Sequence, residues 1–361
     1  MSSLPSTPAD ALAGGVPASP SLARQWLLGA SLILIAFNLR PVFGSISVLL
    51  PGGVRGTGRG PTAASLLTTL PLLCLGVFAM PAPALARRFG PERVLLGALA
   101  LICIGTLLRG TGHLPVLFVS TAIAGAGIAV GNVLLPGLVK RDFPTRASMM
   151  TGLYTLSVCA GASSSTAFTV PLERHLFHGE WALTLAAWAF PAAVVLLLWA
   201  PQALAARRTP AHAQPRAGSV WRDPLAWQVM GFMGLQSALA YIVLGWLAPL
   251  LRERGLDGAQ AGYVVAVSIL VQLLTCLVTP SIAARCRDQR AFGVGLALII
   301  CVAMLALIFG PLSGRWLWAV LLGCGQGGAF ALALTLIVLR SPDPGTTAQL
   351  SAMAQGGGYL P

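Results

Sequence analysis

One arginine, Arg40, stands deep within a long apolar stretch of the sequence. The stretch begins near Gln25, so a helix rising 1.5 Å per residue would place Arg40 about 22 Å from its start. Burying an arginine near the centre of a membrane span costs about 2.5–3.5 kcal/mol on insertion scales, and such a residue usually faces a water-filled cavity. There its planar set of N–H donors would bind an anion.

The residue after this arginine is Pro41, which cannot donate a backbone hydrogen bond. A proline at this place frees a carbonyl group in the preceding turn and predicts a broken helix that lines a cavity. Two other interpretations of Arg40 stay open. Its side chain would then bond to backbone carbonyls as a structural group, or extend outward to the membrane surface.

Other polar side chains at membrane depth are candidate binding residues. Together with Arg40, the residues predicted to bind the substrate are Asn38, Gln236, Asn132, Tyr154 and Tyr241. Gln272 and Gln326 are further polar residues at this depth. Asn38 and Gln236 occupy equivalent positions of an internal repeat, so we expect them to face each other across a central cavity. Hydrogen bonding between helices explains many such residues and is the alternative for each of them.

Acidic residues are absent from the middle of every apolar run, although the chain has ten of them. The spans therefore offer no carboxylate as a proton carrier. Proton co-transport would have to use the substrate, a histidine, or residues at the ends of runs such as Glu92 and Asp142.

We expect neither a metal nor a cofactor. The seven cysteines form no close pair in the sequence, which supports neither a zinc site nor a disulfide framework. His175 and His178 have the spacing of two ligands but no evident third one, apart from nearby glutamates, so we interpret them as part of a loop without metal.

The composition shows what surrounds these residues. The chain is 56% hydrophobic and 9% charged, with a mean hydropathy of +0.80, whereas soluble domains carry about 25% charged residues. Its apolar runs are about as long as a helix that crosses a hydrocarbon core of about 30 Å, and they predict an all-α membrane protein. The runs cover about 25–50, 62–84, 94–109, 114–139, 147–171, 181–200, 224–251, 259–283, 291–310 and 314–339, and a possible eleventh begins near Gln349.

The basic residues give the chain a net charge of +13, but they stand singly or in small groups at the ends of apolar runs. A nucleic-acid-binding protein would gather them on one solvated face, so we expect no nucleic-acid partner. Most of them fall on the side occupied by the N-terminal tail, which predicts a cytoplasmic N-terminus in the plasma (inner) membrane. On this assignment Arg109 belongs to the outer side.

The two halves of the chain repeat with a nearly constant offset. A shift of 198 residues places Asn38 on Gln236 and Gly125-Ala-Gly127 on Gly323-Cys-Gly325. The predicted organisation is a disordered cytoplasmic tail (1–23), a six-helix bundle (24–200), a cytoplasmic linker (201–223) and a second, incomplete bundle (224–361). Two such bundles with a substrate path between them are typical of parallel-repeat transporters. The run Gly323, Gly325, Gly328 matches a dinucleotide fingerprint, but it follows no strand and instead indicates helix packing.

Between the second and third runs, Pro83-Ala-Leu-Ala-Arg-Arg-Phe-Gly-Pro-Glu-Arg93 resembles the loop signature of the major facilitator superfamily, roughly G-x-L-A-D-R-x-G-R-R. The resemblance implies that Arg88, Gly90 and Arg93 belong to a cytoplasmic gating loop. Arg87 stands where the family usually has the aspartate that helps to hold this gate.

Two further segments resemble the cyanate/2-nitroimidazole porters (CynX/NimT type). They are Asn38-Leu-Arg-Pro41 and the stretch from Gly131-Asn-Val-Leu-Leu-Pro136 through Met150-Thr-Gly-Leu-Tyr154. The resemblance implies a secondary active transporter, acting as a monomer, that moves a small polar or anionic solute by alternating access.

Two alternative functions fit the residues less well. Drug–proton antiporters carry an arginine before a Q-G-x-G pattern in span 4, and Ser120 to Gly127 has none; the G-P-x-x-G-G pattern of their span 5 is also missing. A polytopic membrane enzyme would need clustered His, Asp or Glu at one interface.

The repeat maps the sixth run to positions beyond Pro361. We therefore expect a major-facilitator fold of two six-helix repeats that lacks most of span 11 and all of span 12, in a truncated form that transports poorly.

Overall fold

The computed structural model describes residues 22–46, 61–206 and 218–359, and every regular element within these ranges is helical. The predicted tail lies outside these ranges up to residue 21, and so do residues 207–217 of the predicted linker. The α-helices are α1 (Leu22–Asn38), α2 (41–46), α3 (Pro61–Ala79), α4 (Ala82–Phe89), α5 (Pro91–Leu108), α6 (Leu114–Asp142), α7 (Ala147–His175), α8 (Trp181–Ala187), α9 (Ala189–Ala205), α10 (Gly218–Trp221), α11 (Pro224–Glu253), α12 (Gly258–Arg285), α13 (Gln289–Phe309), α14 (Arg315–Leu339) and α15 (Pro344–Gly358).

Each of the ten predicted apolar runs carries one of these helices or a consecutive pair of them. Among the described residues, eight helical segments are long and apolar enough to cross a membrane, and a ninth results if α3 and α4, which meet at a 51° bend, count as one span. Helix α7 is absent from this set despite its 29 residues, because it is rich in serine and threonine. The predicted all-α membrane class is confirmed.

The repeat seen in the sequence also appears in the packing. Gly125 of α6 lies against Cys74 of α3, where an added Cβ would be 2.8 Å from the cysteine Cβ. Its equivalent, Gly323 of α14, lies against Val271 of α12, where an added Cβ would be 2.9 Å from the valine Cβ. The glycines two residues further along each helix lie against α5 and α13 in the same way. The glycine runs therefore serve close helix packing.

The two halves of the repeat touch where α7 packs against α12. They also touch where α15 packs against α3 and α6, while α15 packs against α11 within its own half. The closest approaches lie toward one membrane face. An added Cβ at Gly152 of α7 would lie 2.6 Å from the Leu277 carbonyl oxygen of α12, and one at Gly137 of α6 would lie 3.1 Å from the Pro344 carbonyl oxygen. This face is the one predicted to be cytoplasmic, so the halves are in contact on that side.

Helix α15 begins at Pro344, earlier than the predicted start near Gln349. The residues that cap this helix lie in a stretch that the hydropathy pattern assigned to a polar connection. The Asp343 carboxylate caps the helix, accepting hydrogen bonds from the Thr346 backbone N–H at 3.0 Å and the Thr346 hydroxyl at 2.7 Å. Burial alone would raise the pKa of Asp343, but its hydrogen bonds and the nearby Lys140 lower that pKa below its ordinary value.

Candidate substrate site between the two halves

Arg40 stands at a break in the first membrane span. Helix α1 ends at Asn38, and helical structure resumes at Pro41. The Arg40 carbonyl oxygen accepts the backbone N–H groups of Phe43 at 3.0 Å and Gly44 at 3.4 Å, so it starts the second helical piece. The broken helix predicted from Pro41 is confirmed, and its cause is the missing donor of the proline.

The Arg40 side chain reaches from the first half of the chain to the second. Its Nη1 donates to the Tyr241 hydroxyl of α11 at 3.1 Å, and its Nη2 donates to the Tyr359 hydroxyl beyond α15 at 3.4 Å. The guanidinium carbon lies 5.7 Å from the ring centre of Phe43 and 5.8 Å from that of Phe330. Aromatic faces attract a cation but do not neutralise it.

No carboxylate of the described chain pairs with this guanidinium. The described acidic residues stand at helix ends or in connections: Glu92, Asp142, Glu173, Glu180, Asp223, Glu253, Asp257, Asp288 and Asp343. The ion pairs found within the described ranges belong to Arg141. Arg40 is half-buried between the two halves. Because no described carboxylate pairs with it, its positive charge is uncompensated there.

Several polar side chains of the described chain can donate further hydrogen bonds. Tyr241 and Tyr359 accept from Arg40 through their oxygens and retain their own O–H groups as donors. Three more polar atoms are buried and bond to no described residue, namely the Tyr154 hydroxyl, the Asn132 Nδ2 and the Gln326 Nε2. Gln326 lies one helical turn before Phe330 on α14. N–H and O–H groups that are free to donate suit an anionic or strongly polar ligand.

Asn38 and Gln236 are placed differently from the expectation. The Asn38 Nδ2 donates to the Leu34 carbonyl at 2.9 Å, and the Gln236 Nε2 donates to the Ser237 hydroxyl at 2.7 Å. Both residues are buried, and these amides bond within their own helices. Of the predicted binding residues, Tyr241 is the one hydrogen-bonded to Arg40 within the described ranges.

The partners that sequence reasoning missed are Phe43, Phe330 and Tyr359. A signal for Phe43 was present, because the 198-residue offset places it on Tyr241, and both rings contact Arg40. Tyr359 offered no such signal, because its repeat equivalent is Gly161.

Residues 26–360 match the Major Facilitator Superfamily. The chain belongs to this family. The 2-nitroimidazole transporter of Escherichia coli (strain K12) is 40% identical over 341 residues, which are 92% of this chain and 85% of the relative. The cyanate transport protein CynX of the same organism is 31% identical over 331 residues, covering 91% of this chain and 85% of CynX. The resemblance to these porters is confirmed, and the protein is a membrane transporter rather than an enzyme.

The fold agrees with this family. The solved structure of the proton:xylose symporter XylE, bound to 6-bromo-6-deoxy-D-glucose, aligns with a TM-score of 0.73 over 93% of this chain and 85% of that chain. At 13% identity this likeness concerns the fold alone.

In the loop assigned to gating, Arg88 and Arg93 form no hydrogen bond or ion pair with the described residues of the other half. Arg88 is exposed and lies over its neighbour Phe89, with 5.2 Å from guanidinium carbon to ring centre. Gly90 ends α4 with a φ of +89°, and Arg93 is exposed. Within the loop, Glu92 forms an ion pair with Arg141 of the same half at 2.5 Å. The gating role of Arg88, Gly90 and Arg93 remains a proposal.

Lys140 makes a direct contact between the two halves. Its Nζ donates to the Val338 carbonyl at 2.7 Å and to the Ser341 carbonyl, at the end of α14. A cation there also faces the negative end of the helix dipole. The sequence alone placed Lys140 only among the basic residues of the inner face.

Arg109, which charge counting assigned to the outer surface, is fully buried. Its Nη1 donates to the Val42 carbonyl of α2 at 3.1 Å, and its Nη2 donates to the Thr121 hydroxyl of α6 at 3.1 Å. Arg40 is therefore not the only charged residue at depth. The burial of Arg109 does not decide on which side of the membrane it lies, because a residue at the end of an apolar run can turn inward to satisfy a backbone carbonyl. Arg109 anchors the helical piece that follows Arg40.

A pair of cysteines offers a direct check on the contact between α7 and α12. The Sγ atoms of Cys159 and Cys276 are 3.7 Å apart. We predict that copper–phenanthroline in air joins them in a disulfide. If a protease site is inserted in the linker at 207–217, cleavage should leave the halves joined on a non-reducing gel, and Cys159→Ser should release them. Release of the oxidised wild-type halves would show that α7 and α12 are not neighbours at this depth.

Proposed function

We propose that this transporter carries a small, planar, monovalent anion by alternating access, with Arg40 as its principal binding group. The observation that carries the proposal is the uncompensated guanidinium between the two halves, surrounded by hydroxyl donors and aromatic rings. A guanidinium binds a planar anion through parallel N–H bonds. Cyanate and the 2-nitroimidazole anion, suggested by the names of two relatives, are small enough and delocalised enough to fit this chemistry.

Alternating access would use the same side chains from both directions. Arg40 follows the broken first span, Tyr241 lies on α11, and Tyr359 follows α15, so the anion would be held by both halves. When the halves part on one side, the site opens to that side. We place the N-terminus in the cytoplasm on the positive-inside rule. The contacts of Lys140 and Gly152 would then close the cytoplasmic entrance.

Uptake by cells with and without the gene tests the proposal. The panel is labelled cyanate, formate and 2-nitroimidazole, with 1-methyl-2-nitroimidazole as the matched control because it cannot form the anion. We expect gene-dependent movement of at least one anion and none of the methylated control. Equal gene-dependent movement of 2-nitroimidazole and its methyl derivative, with no movement of cyanate or formate, would contradict an anion site.

A further inference from the structure

We infer that this transporter is an obligatory exchanger, which moves one monovalent anion inward for each one it moves outward. The inference rests on the proposed function, since it requires that the anion binds at Arg40. Its basis is the charge inventory of the membrane spans rather than the identity of the anion.

In the empty transporter, the Arg40 guanidinium has no bound anion and depends on water for its solvation. While the site is open to one side, water can solvate the half-buried guanidinium. To reorient, the protein must close both entrances and remove most of that water. Among the described residues, the guanidinium would then face two neutral hydroxyls, two aromatic rings and the thiol of Cys159. An unpaired buried charge is strongly disfavoured, and at the scale known for arginine in a membrane the closed empty state would slow reorientation roughly 100-fold.

In the described part of the chain, no carboxylate or histidine stands beside Arg40, and its titratable neighbours Tyr241, Tyr359 and Cys159 are uncharged as phenols and thiol. The described carboxylates stand at helix ends, and the described histidines, His113, His175 and His178, lie at helix ends or in a connection on the outer side. Arginine does not lose its proton in proteins. Arg109 is a second cation, and its side chain bonds to Val42 and Thr121. Within the described spans, a bound anion is therefore the group available to neutralise Arg40.

The stoichiometry follows from the single guanidinium. One bound monovalent anion makes the closed site neutral, whereas a divalent anion would leave one excess negative charge. The loaded transporter reorients in both directions and the empty one does not, so each inward anion is matched by an outward anion. No net charge crosses the membrane in this exchange.

The test uses the purified full chain in liposomes at pH 8, with [14C]cyanate outside and protein-free liposomes as the measure of leak. The vesicles contain unlabelled cyanate, nitrate, sulfate or gluconate. We expect initial uptake to be at least tenfold faster with internal cyanate or nitrate, which are planar and monovalent, than with sulfate or gluconate. A potassium diffusion potential set with valinomycin should leave the exchange rate unchanged.

The outcomes separate this inference from the function on which it rests. Equal, protein-dependent uptake into all four kinds of vesicle would overturn exchange and leave the anion site standing. Strong dependence of the exchange rate on the membrane potential would overturn the one-for-one stoichiometry. If the purified protein neither binds cyanate nor carries it into any vesicle, the proposed function fails, and the inference fails with it.

Discussion

Replacing Arg40 with glutamine lowers anion transport by about 30-fold or more, while the amount of protein in the membrane stays near the wild-type level. The glutamine keeps hydrogen-bonding capacity but removes the charge and the bidentate geometry. Losing a charged partner of this kind costs about 2–5 kcal/mol, and 1.36 kcal/mol is a factor of ten. Arg40→Lys should recover little, because a point charge does not reproduce the planar pair of donors.

The measurement is initial uptake normalised to protein abundance in the membrane. Arg252→Gln is the matched control, because it makes the same substitution at an exposed arginine outside the site and outside the gating loop. Normal transport by Arg40→Gln would mean that the arginine is structural and that the site lies elsewhere.

Replacing Lys140 with methionine should slow transport at least tenfold by weakening closure of the cytoplasmic entrance. The side chain joins the end of α6 to the last carbonyls of α14, in the other half of the repeat. Methionine keeps much of the length but leaves those carbonyls without the ammonium donor. Arg141→Met is the matched control, because the Arg141 partners Glu92 and Asp142 belong to its own half.

The same variant should show a change in accessibility. In a background that retains Cys159 alone, a membrane-impermeant maleimide applied from the cytoplasmic side should label the Lys140→Met protein faster than its parent. Unchanged labelling together with unchanged transport would show that the Lys140 contact does not hold the two halves together.

Much of the fold could be predicted because each membrane span appears in the sequence as a long apolar run. The apolar runs located the helices, and the constant offset identified the repeat that later appeared in the packing of Gly125 and Gly323. The break beside Arg40 was also predictable, because Pro41 has no backbone donor to offer the preceding turn.

The site was predictable only in part, because the direction of a side chain depends on packing between distant helices. Arg40 was found because charge at membrane depth is costly, and Tyr241 because it is polar at that depth. Asn38 and Gln236 have the same polarity but hydrogen-bond within their own helices, which hydropathy does not reveal. The burial of Arg109 was not predictable, because its position at the end of a run gave no sign that the side chain turns inward.

Equilibrium binding of [14C]cyanate to the purified protein tests most directly the claim that Arg40 holds the transported anion. Binding does not depend on the direction of transport or on exchange. We expect saturable binding to the wild-type protein and to Arg252→Gln, and binding to Arg40→Gln that is about 30-fold weaker or more. Equal affinity of the wild-type and Arg40→Gln proteins would contradict this claim.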